Sequence, residues 1–320
     1  DPYPNWPHLL RKDWNQWQAA RAEAQKGPKI LIATGTGGHI PVATVDTYLA
    51  VALTMRGANV HFLLCDSFLP ACEPSLVTLF RKQKEFAEHG PSKKLCENCF
   101  PPADRVYRSL GLPLHYYGDL VTDQEREEAG EISAAVSYSA IEKYRLDGIA
   151  VGEHAKAGAL RFYARGTLDD EDFADTVLRR YFEASLFTTY AVQRLLRQHD
   201  FRAASFHHGI YVPQGLVGEV ARKHNVRVAN WQVAYRKRSF IFSHEHTYHH
   251  TMLTEPTEDW ENVQWTPEIE SETMAYLQSR WQGTQDWIWF HEKPEQELSA
   301  IAQELGVNFA KPCIGMLTNV

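Results

Sequence analysis

A strand, a glycine-rich turn, a helix and a second strand follow one another between residues 29 and 65, and this order constrains the fold more than any other feature. The segment 29–34 is a short apolar run before a glycine, long enough for a buried parallel strand and too short for a helix. The segment 40–55 is rich in Ala, Val and Leu and stops before Gly57, as a helix would. With a second apolar run at 59–65, the pattern is a βαβ unit, which has a right-handed crossover. It predicts an α/β fold with a Rossmann-like, mainly parallel sheet and flanking helices.

The remaining chain alternates between helical and strand patterns. Helices are predicted over 8–26, 76–89, 155–165, 170–198, 212–224, 267–281 and 294–305, and strands over 114–117, 203–206, 226–231 and 312–318. We expect 1–28 to form a helical extension and 29–311 a Rossmann-like domain with a helical insertion. The segment 312–320 is expected to be the first strand of a second domain.

The turn at 35–39, Gly-Thr-Gly-Gly-His, joins the first strand to its helix. Glycines at this place let the backbone turn tightly and leave amide N–H groups pointing outwards, where they attract phosphate. Ile40 stands where the dinucleotide fingerprint has its third glycine, and His39 stands where a P-loop has lysine, so neither motif fits. Asp66, at the end of the second strand, still favours a dinucleotide because a ribose-binding acid lies there. A purely structural turn is the other alternative.

The segment Ile32-Ala-Thr-Gly-Thr-Gly-Gly-His-Ile-Pro41, with the helix after it and Arg56-Gly-Ala-Asn-Val60, resembles the opening of GT-B glycosyltransferases. The likeness is greatest to the N-acetylglucosaminyltransferases that make peptidoglycan lipid II. It implies the N-terminal, acceptor-binding domain of a two-domain GT-B architecture, with the turn facing the cleft near the pyrophosphate of a lipid-linked acceptor. The residues that it implies as acceptor or phosphate contacts are Gly35, Thr36, Gly37 and Gly38, and His39 is its candidate general base.

A second stretch is similar to capsule and surface-polysaccharide biosynthesis transferases. It runs from Phe206-His-His-Gly209 through a helix to Val226-Arg-Val-Ala-Asn230, and 312–320 is similar to the first strand of their nucleotide-sugar domain. The resemblance implies transfer of a sugar from a nucleotide-sugar donor, bound with a second domain, to a saccharide or lipid-linked acceptor. A Rossmann-type nucleotide-dependent oxidoreductase and a non-catalytic metal-stabilised ligand-binding module are the alternatives.

Histidines are natural candidates for the base, since the pKa of an unperturbed imidazole lies near neutrality. His207, His208 and Gly209 directly follow a predicted strand, and ligands bind at the C-terminal ends of strands in open parallel sheets. We expect one of the two histidines to face the cleft and the other to pack. The histidine-rich segment 244–250 does not match a zinc-protease motif and is interpreted as a polar cleft loop.

Two basic segments are candidates for binding the anionic part of an acceptor. Arg161 and Arg165 are four residues apart on a predicted helix, so they would share a face and could bind a phosphate or carboxylate together. A solvated basic helix is the alternative. The stretch 235–238, Tyr-Arg-Lys-Arg, follows the last strand of the domain and is a similar candidate.

Four of the five cysteines form two pairs, Cys65 with Cys72 and Cys96 with Cys99. Two such pairs are typical of a tetrahedral zinc ion or an iron–sulfur cluster. The alternative is a buried cysteine on the second strand and an unrelated pair in a loop. An odd number of cysteines with one Cys-x-x-Cys spacing fits reduced thiols or a metal better than a secreted disulfide framework.

Charge and hydropathy restrict the partners. The net charge of -7 does not indicate binding of nucleic acid or of an anionic bilayer through bulk charge. Apolar runs stay shorter than the roughly 20 residues that span a bilayer, and residues 1–7 have neither region of a signal peptide. We therefore expect a cytoplasmic protein without a nucleic-acid partner, and a lipid-linked acceptor would bring it to the inner face of the membrane.

Overall fold

The structure is a computed structural model that describes residues 3–76, 83–234, 239–251, 257–282 and 297–314. Its strands are β1 (Lys29–Gly35), β2 (Asn59–Leu64), β3 (Leu114–Tyr116), β4 (Phe201–His207), β5 (Arg227–Val233) and β6 (Phe240–His244). Its helices are α1 (Trp6–Leu9), α2 (Trp14–Ala24), α3 (Ile40–Met55), α4 (Gln83–His89), α5 (Lys93–Ser109), α6 (Tyr117–Leu120), α7 (Asp123–Ala135), α8 (Tyr138–Ile141), α9 (Val151–Tyr163), α10 (Ala174–Gln198), α11 (Gln214–Lys223), α12 (Tyr248–Thr251), α13 (Glu258–Glu261), α14 (Pro267–Gln282) and α15 (Leu298–Leu305).

The strands form one six-stranded sheet in the order β3-β2-β1-β4-β5-β6. β1 pairs in parallel with β2 and β4, and the β2–β3 and β4–β5 pairs are parallel too. Near β6, Ala234 N–H donates to Ser239 O and Glu245 N–H donates to Val228 O, which is an antiparallel pattern. The predicted α/β fold with a mainly parallel, Rossmann-like sheet is confirmed.

Both faces of the central strand are covered by helices, which explains its continuous apolar sequence. Leu31 and Ala33 belong to one hydrophobic core with α9, α10 and α11, whereas Ile32 belongs to the core on the opposite face. Side chains alternate between the two faces of a strand, so a strand with helices on both faces is mostly apolar at successive positions. Helices α6 to α10 stand between β3 and β4, where the helical insertion was expected.

The chain forms two compact units, one of Asp1–Trp231 and Phe242–Thr251 and one of Gln232–Ile241 and Met252–Val320. The first unit includes the segment expected to form a helical extension, and α1 and α2 in this segment pack against the core. Trp6 and Trp17 are buried in the same core as Ile32, and α2 packs against α3 and β2. The helices α13, α14 and α15 belong to the second unit, which the expected 29–311 domain had included.

The predicted elements differ from the structure in several places. Helix α5 was not predicted because Pro101 and Pro102 lie inside it, and a proline removes a helix hydrogen bond. Helix α10 begins at Ala174, four residues later than expected, after Phe173 in a left-handed conformation. Of the predicted strand 312–318, residues 312–314 are irregular and 315–318 lie outside the described residues. Within the described residues, the helices are too short or too polar to traverse a bilayer.

Candidate functional site

The candidate site lies where the sheet order reverses. β1 and β4 are neighbours, and their crossovers lead to opposite sides, so the loops after their C-terminal ends leave a crevice. The first loop is the glycine turn 35–39, and the second begins at His207 and leads through a cis Val212–Pro213 bond into α11. Ligands of open α/β sheets bind at such a switch point.

The imidazole of His39 lies beside a buried glutamate at this crevice. Its Nε2 lies 3.4 Å from Oε2 of Glu73, and 43% of the histidine side chain is exposed against 5% of the glutamate side chain. Arg161 binds the other carboxylate oxygen, with 2.8 Å between its Nη2 and Oε1, and also donates from Nη1 to the Glu73 carbonyl at 2.8 Å. Arg161 therefore holds one oxygen of the carboxylate, and the other oxygen faces the imidazole and can orient it.

Glu73 was missed by sequence reasoning. It lies in the loop after β2, between Cys72 and Pro74, and its amide N–H donates to the carbonyl of Val212 at 2.8 Å. That bond ties the β2 loop to the loop after β4, across the switch point. A single glutamate in an irregular segment carries no local signal, because its partners come from distant parts of the chain.

The amides of the glycine turn do not point outwards as expected. The N–H groups of Gly37 and Gly38 donate to Sγ of Cys99, at 3.3 and 3.1 Å. A Cβ atom on Gly37 would lie 2.2 Å from the Cβ of Ala103, so the glycine is required by the close approach of α5. The two amides predicted to bind an acceptor phosphate are therefore occupied by a thiol.

The rest of the turn faces the interior. Gly35 has a φ of +75°, in the left-handed region that glycine adopts without strain, and its missing side chain leaves room for the Tyr117 hydroxyl. Thr36 is buried and accepts a hydrogen bond from Gln214 Nε2 at 3.4 Å. Gln214 Oε1 and the Tyr117 hydroxyl have no hydrogen-bond partner among the described residues. The structure brings Gly35 and Thr36 to the switch point as core residues.

The two histidines after β4 differ in environment. His207 is buried, with its ring 4.8 Å from the ring of Trp231 and its backbone N–H donating to Thr34 Oγ1. His208 has a φ of 69°, and Gly209 after it has a φ of 87°. A Cβ on Gly209 would lie 2.7 Å from Asn230 Nδ2, so the turn requires glycine.

His208 is neutral and has an unused ring nitrogen. Burial, with the nearby rings of His207 and His249 and the charge of Arg161, lowers the pKa of His208 to about 3. Its Nδ1 is buried without a hydrogen-bond partner among the described residues. A buried polar atom without a partner costs free energy, which a ligand or a water molecule at the site would offset.

Aromatic rings surround His208 on the side of Arg161. The ring of Tyr211 lies 4.8 Å from it and the ring of His249 lies 5.4 Å from it. The guanidinium carbon of Arg161 lies 4.9 Å from the centre of the Tyr211 ring. Aromatic rings with polar edges can contact a ligand that has both an apolar face and hydroxyl groups.

Arg165 and Arg161 have different partners, so the structure does not show the expected shared helix face. Helix α9 ends at Tyr163 and Ala164 is left-handed, so Arg165 leaves the helix face. Its Nε donates to Oε1 of Glu171 at 2.9 Å, on the exposed surface. Arg161 is committed to Glu73, and the other basic candidate, 235–238, lies outside the described residues.

The four predicted metal-binding cysteines line one cavity next to the glycine turn. It is a small cavity, partly open to solvent, and it is lined by Thr36, Cys65, Ser67, Leu69, Cys72, Pro74, Pro91, Leu95, Cys96, Cys99 and Phe100. All four thiols are free. Burial raises the pKa of Cys65 to about 12 and that of Cys72 well above its usual range, and it also raises the pKa values of Cys96 and Cys99. The pair at 96 and 99 lies on α5 and not in a loop.

A second group of potential metal ligands lies near the N-terminal ends of β1 and β2, whereas the switch point lies at the C-terminal ends of the strands. His61 on β2, His115 on β3 and His199 after α10 each offer a ring nitrogen, and these atoms lie within 4.8 Å of one another. Burial lowers the pKa of His61 to about 3 and that of His115 to about 4, so both rings are neutral, the form that binds metals. An adjacent cavity is also lined by Arg21 and Lys29. These three histidines are far apart in the sequence and form no motif, so the group was not predicted.

Asp66 does not adopt the role of a ribose-binding acid in this structure. Its Oδ1 accepts a hydrogen bond from Gly118 N–H at 3.1 Å, at the start of α6, and its pKa is raised by burial. The segment 244–250, expected to be a polar cleft loop, contains the end of β6 and the start of α12, and it brings His249 beside His208.

No protein-family model matches the chain, and no curated protein matches it. The function therefore has to be inferred from the switch-point geometry together with the resemblance of the glycine turn.

Proposed function

We propose that the protein is a glycosyltransferase of GT-B type that transfers a sugar from a nucleotide-sugar donor to a saccharide or lipid-linked acceptor. The observation that carries the proposal is the alignment of His39, Glu73 and Arg161 at the switch point. A transferase needs a base that removes the proton from the acceptor hydroxyl as this oxygen attacks the anomeric carbon. A half-exposed imidazole that is oriented by a buried carboxylate supplies such a base.

The proton path follows from the contacts. Nε2 of His39 faces Glu73, so Nδ1 is the ring nitrogen that accepts the proton from the acceptor hydroxyl. The carboxylate then stabilises the positive imidazolium, and Arg161 holds the carboxylate in place through its two hydrogen bonds. The new bond joins the acceptor oxygen to the anomeric carbon, and the nucleoside diphosphate leaves with the electrons of the bond that breaks.

The acceptor in this proposal lies against His208 and Tyr211. The unpartnered Nδ1 of His208 provides a hydrogen bond to a sugar hydroxyl, and the aromatic rings contact the apolar face of the sugar. The amides of Gly37 and Gly38 take no part in phosphate binding, which departs from what the family resemblance implies. In a GT-B architecture the nucleotide-sugar donor would bind with a second domain.

A donor screen tests the proposal. The protein is incubated with a panel of sugar nucleotides and saccharide or lipid-linked acceptors, and release of nucleoside diphosphate is followed. His39→Ala is expected to lower turnover by about two orders of magnitude, because general-base catalysis contributes about 10²–10⁴-fold. Glu73→Gln is expected to lower it less while retaining the side-chain volume. Unchanged turnover in His39→Ala removes the base from the mechanism, and absence of release with every donor counts against the function.

The sheet order favours one competing function, a nucleotide-dependent oxidoreductase. The order 3-2-1-4-5-6 is that of dinucleotide-binding domains. The amides of Gly37 and Gly38 already donate to Cys99, and Oδ1 of Asp66 already accepts from Gly118, which weakens the case for the usual cofactor contacts. Titration with NADH or NADPH, read as an enhancement of nicotinamide fluorescence, separates the two: saturable enhancement supports the oxidoreductase.

A further inference from the structure

The cysteine cavity is assembled from distant parts of the first unit. Cys65 directly follows β2, Cys72 lies in the loop after it, and Cys96 and Cys99 are one turn apart on α5. The remaining lining is mostly apolar. The cavity therefore collects four of the five cysteines of the sequence, and the switch-point chemistry uses none of them.

Two of the four sulfurs make hydrogen-bond contacts that suit a bound thiolate. The N–H groups of Gly37 and Gly38 donate to Cys99 Sγ, and the Ser75 hydroxyl lies 3.5 Å from Cys72 Sγ. A neutral thiol is a weak acceptor, whereas a thiolate bound to a metal is usually surrounded by such donors. Successive backbone amides, as in the glycine turn, form the concave anion sites found at many iron–sulfur centres.

The spacing of the sulfurs distinguishes a cluster from a single ion. Zinc binds four tetrahedral sulfurs at ≈ 2.3 Å, which holds them about 3.8 Å from one another. All four cysteines are described residues, and no three of their sulfurs lie within 4.8 Å of one another. In a [4Fe–4S] cluster each cysteine binds a different iron atom, so the sulfurs stand further apart around a larger group.

We propose that Cys65, Cys72, Cys96 and Cys99 bind a [4Fe–4S] cluster. Each thiol releases its proton as its Fe–S bond forms, so assembly from a supplied cluster releases four protons. The cluster anchors α5 to the loop after β2, and through the Cys99 sulfur it holds the glycine turn. The cluster would supply no group to the proposed transferase chemistry, and neither proposal requires the other, although Cys72 is next to Glu73 in the chain.

Metal analysis of the intact chain tests the site. The protein is purified without oxygen, and iron, acid-labile sulfide and zinc are measured with the visible absorption and its bleaching by dithionite. About four iron and four sulfide per chain are expected. Cys65→Ser and Cys99→Ser are expected to lose most of both. The matched control is Cys313→Ser, because Cys313 is exposed and lies in the second unit, and it should keep the full content.

A variant that retains all four ligands covers the case in which the serine variants do not fold. Ser75→Ala removes the hydroxyl beside the Cys72 sulfur and is expected to keep the iron but to lower the reduction potential, because hydrogen bonds to sulfur stabilise the reduced cluster. An unchanged potential overturns ligation by Cys72. One zinc per chain without sulfide, full iron content in folded Cys99→Ser, or no cluster after anaerobic reconstitution with iron and sulfide overturns the proposal.

Discussion

Asp46 allows a quantitative test of the buried electrostatics beneath the candidate site. It lies on α3, where Trp231 Nε1 donates to its Oδ1 at 3.3 Å and its Oδ2 has no hydrogen-bond partner among the described residues. Burial raises its pKa from 3.8 to about 7, and hydrogen bonds from Thr34 and Trp231 offset only part of this effect. The folded protein therefore holds a proton on Asp46 that the unfolded chain has lost above pH 4.

The sign and size of the effect follow from linkage. Between pH 4 and 7 the folded state binds more protons than the unfolded state, so Asp46 makes the free energy of unfolding decrease as the pH rises, and the decrease levels off above pH 7. At 1.36 kcal/mol per pKa unit, the complete penalty is about 4 kcal/mol, and about 2–3 kcal/mol of it accumulates between pH 5 and 8. Asp46→Asn cannot ionise, so this part of the pH dependence disappears.

The assay is chemical denaturation of the wild type and of Asp46→Asn at pH 5, 6, 7 and 8. The stability of the variant relative to the wild type should rise by about 2–3 kcal/mol from pH 5 to pH 8. Asp170→Asn, at an exposed position, is the control and should show no such trend. A difference between wild type and Asp46→Asn that stays constant across this range would refute the reasoning, because the carboxyl would then ionise alike in both states.

Three further predictions test the packing of the turn, the buried ion pair and the histidine group. Gly37→Ala should reduce the free energy of unfolding by about 1–3 kcal/mol through overpacking. Gly130→Ala, where the backbone is helical and the space is open, should raise it by about 0.5–1 kcal/mol. Equal effects of the two substitutions in chemical denaturation would contradict the close contact of Gly37 with α5. Arg161→Met should cost about 3 kcal/mol or more, because it removes the guanidinium from the buried Glu73 carboxylate and leaves the His39 imidazole as its neighbour. Arg165→Met, at a more exposed pair, should cost less than about 1 kcal/mol, and a similar cost for both would argue against the buried pair. Zn²⁺ or Ni²⁺ at about 100 times its Kd should stabilise the wild type by about 2.7 kcal/mol and leave His115→Ala unaffected, as read from thermal melting; equal shifts in both would place the metal elsewhere.

The sequence predicted the parts of the fold that depend on local patterns. The run 29–34 indicated a parallel strand because β1 is buried on both faces, and the glycines at 35–38 marked its turn. Helix α5 could not be predicted, because its prolines oppose a helix that tertiary packing stabilises. Similarly, the segment 1–28 was polar enough to suggest an extension, although Trp6 and Trp17 bury their rings in the core.

The candidate site could be predicted from the sequence only where a local motif identifies a residue. His39 followed from the glycine motif, but its partner Glu73 depends on how the loop after β2 folds back on the loop after β4. Arg161 was selected for its charge, and its real partner could not be identified without the fold. The amides of Gly37 and Gly38 show the same limit. The glycine motif predicts exposed N–H groups, and only the fold shows that these groups donate to Cys99 Sγ.

The loop after β2 connects the two proposals and lets them be separated. Cys72 and Glu73 are adjacent, so a cluster that holds Cys72 also restrains the carboxylate that orients His39. Loss of the cluster in Cys99→Ser should therefore lower both iron content and turnover, because the loop and the glycine turn lose a common anchor. His39→Ala should lower turnover alone and leave iron and sulfide unchanged, since the imidazole does not line the cysteine cavity. If His39→Ala lowered the iron content as well, the imidazole would have to support the cluster, and its role as a base would lose its main evidence.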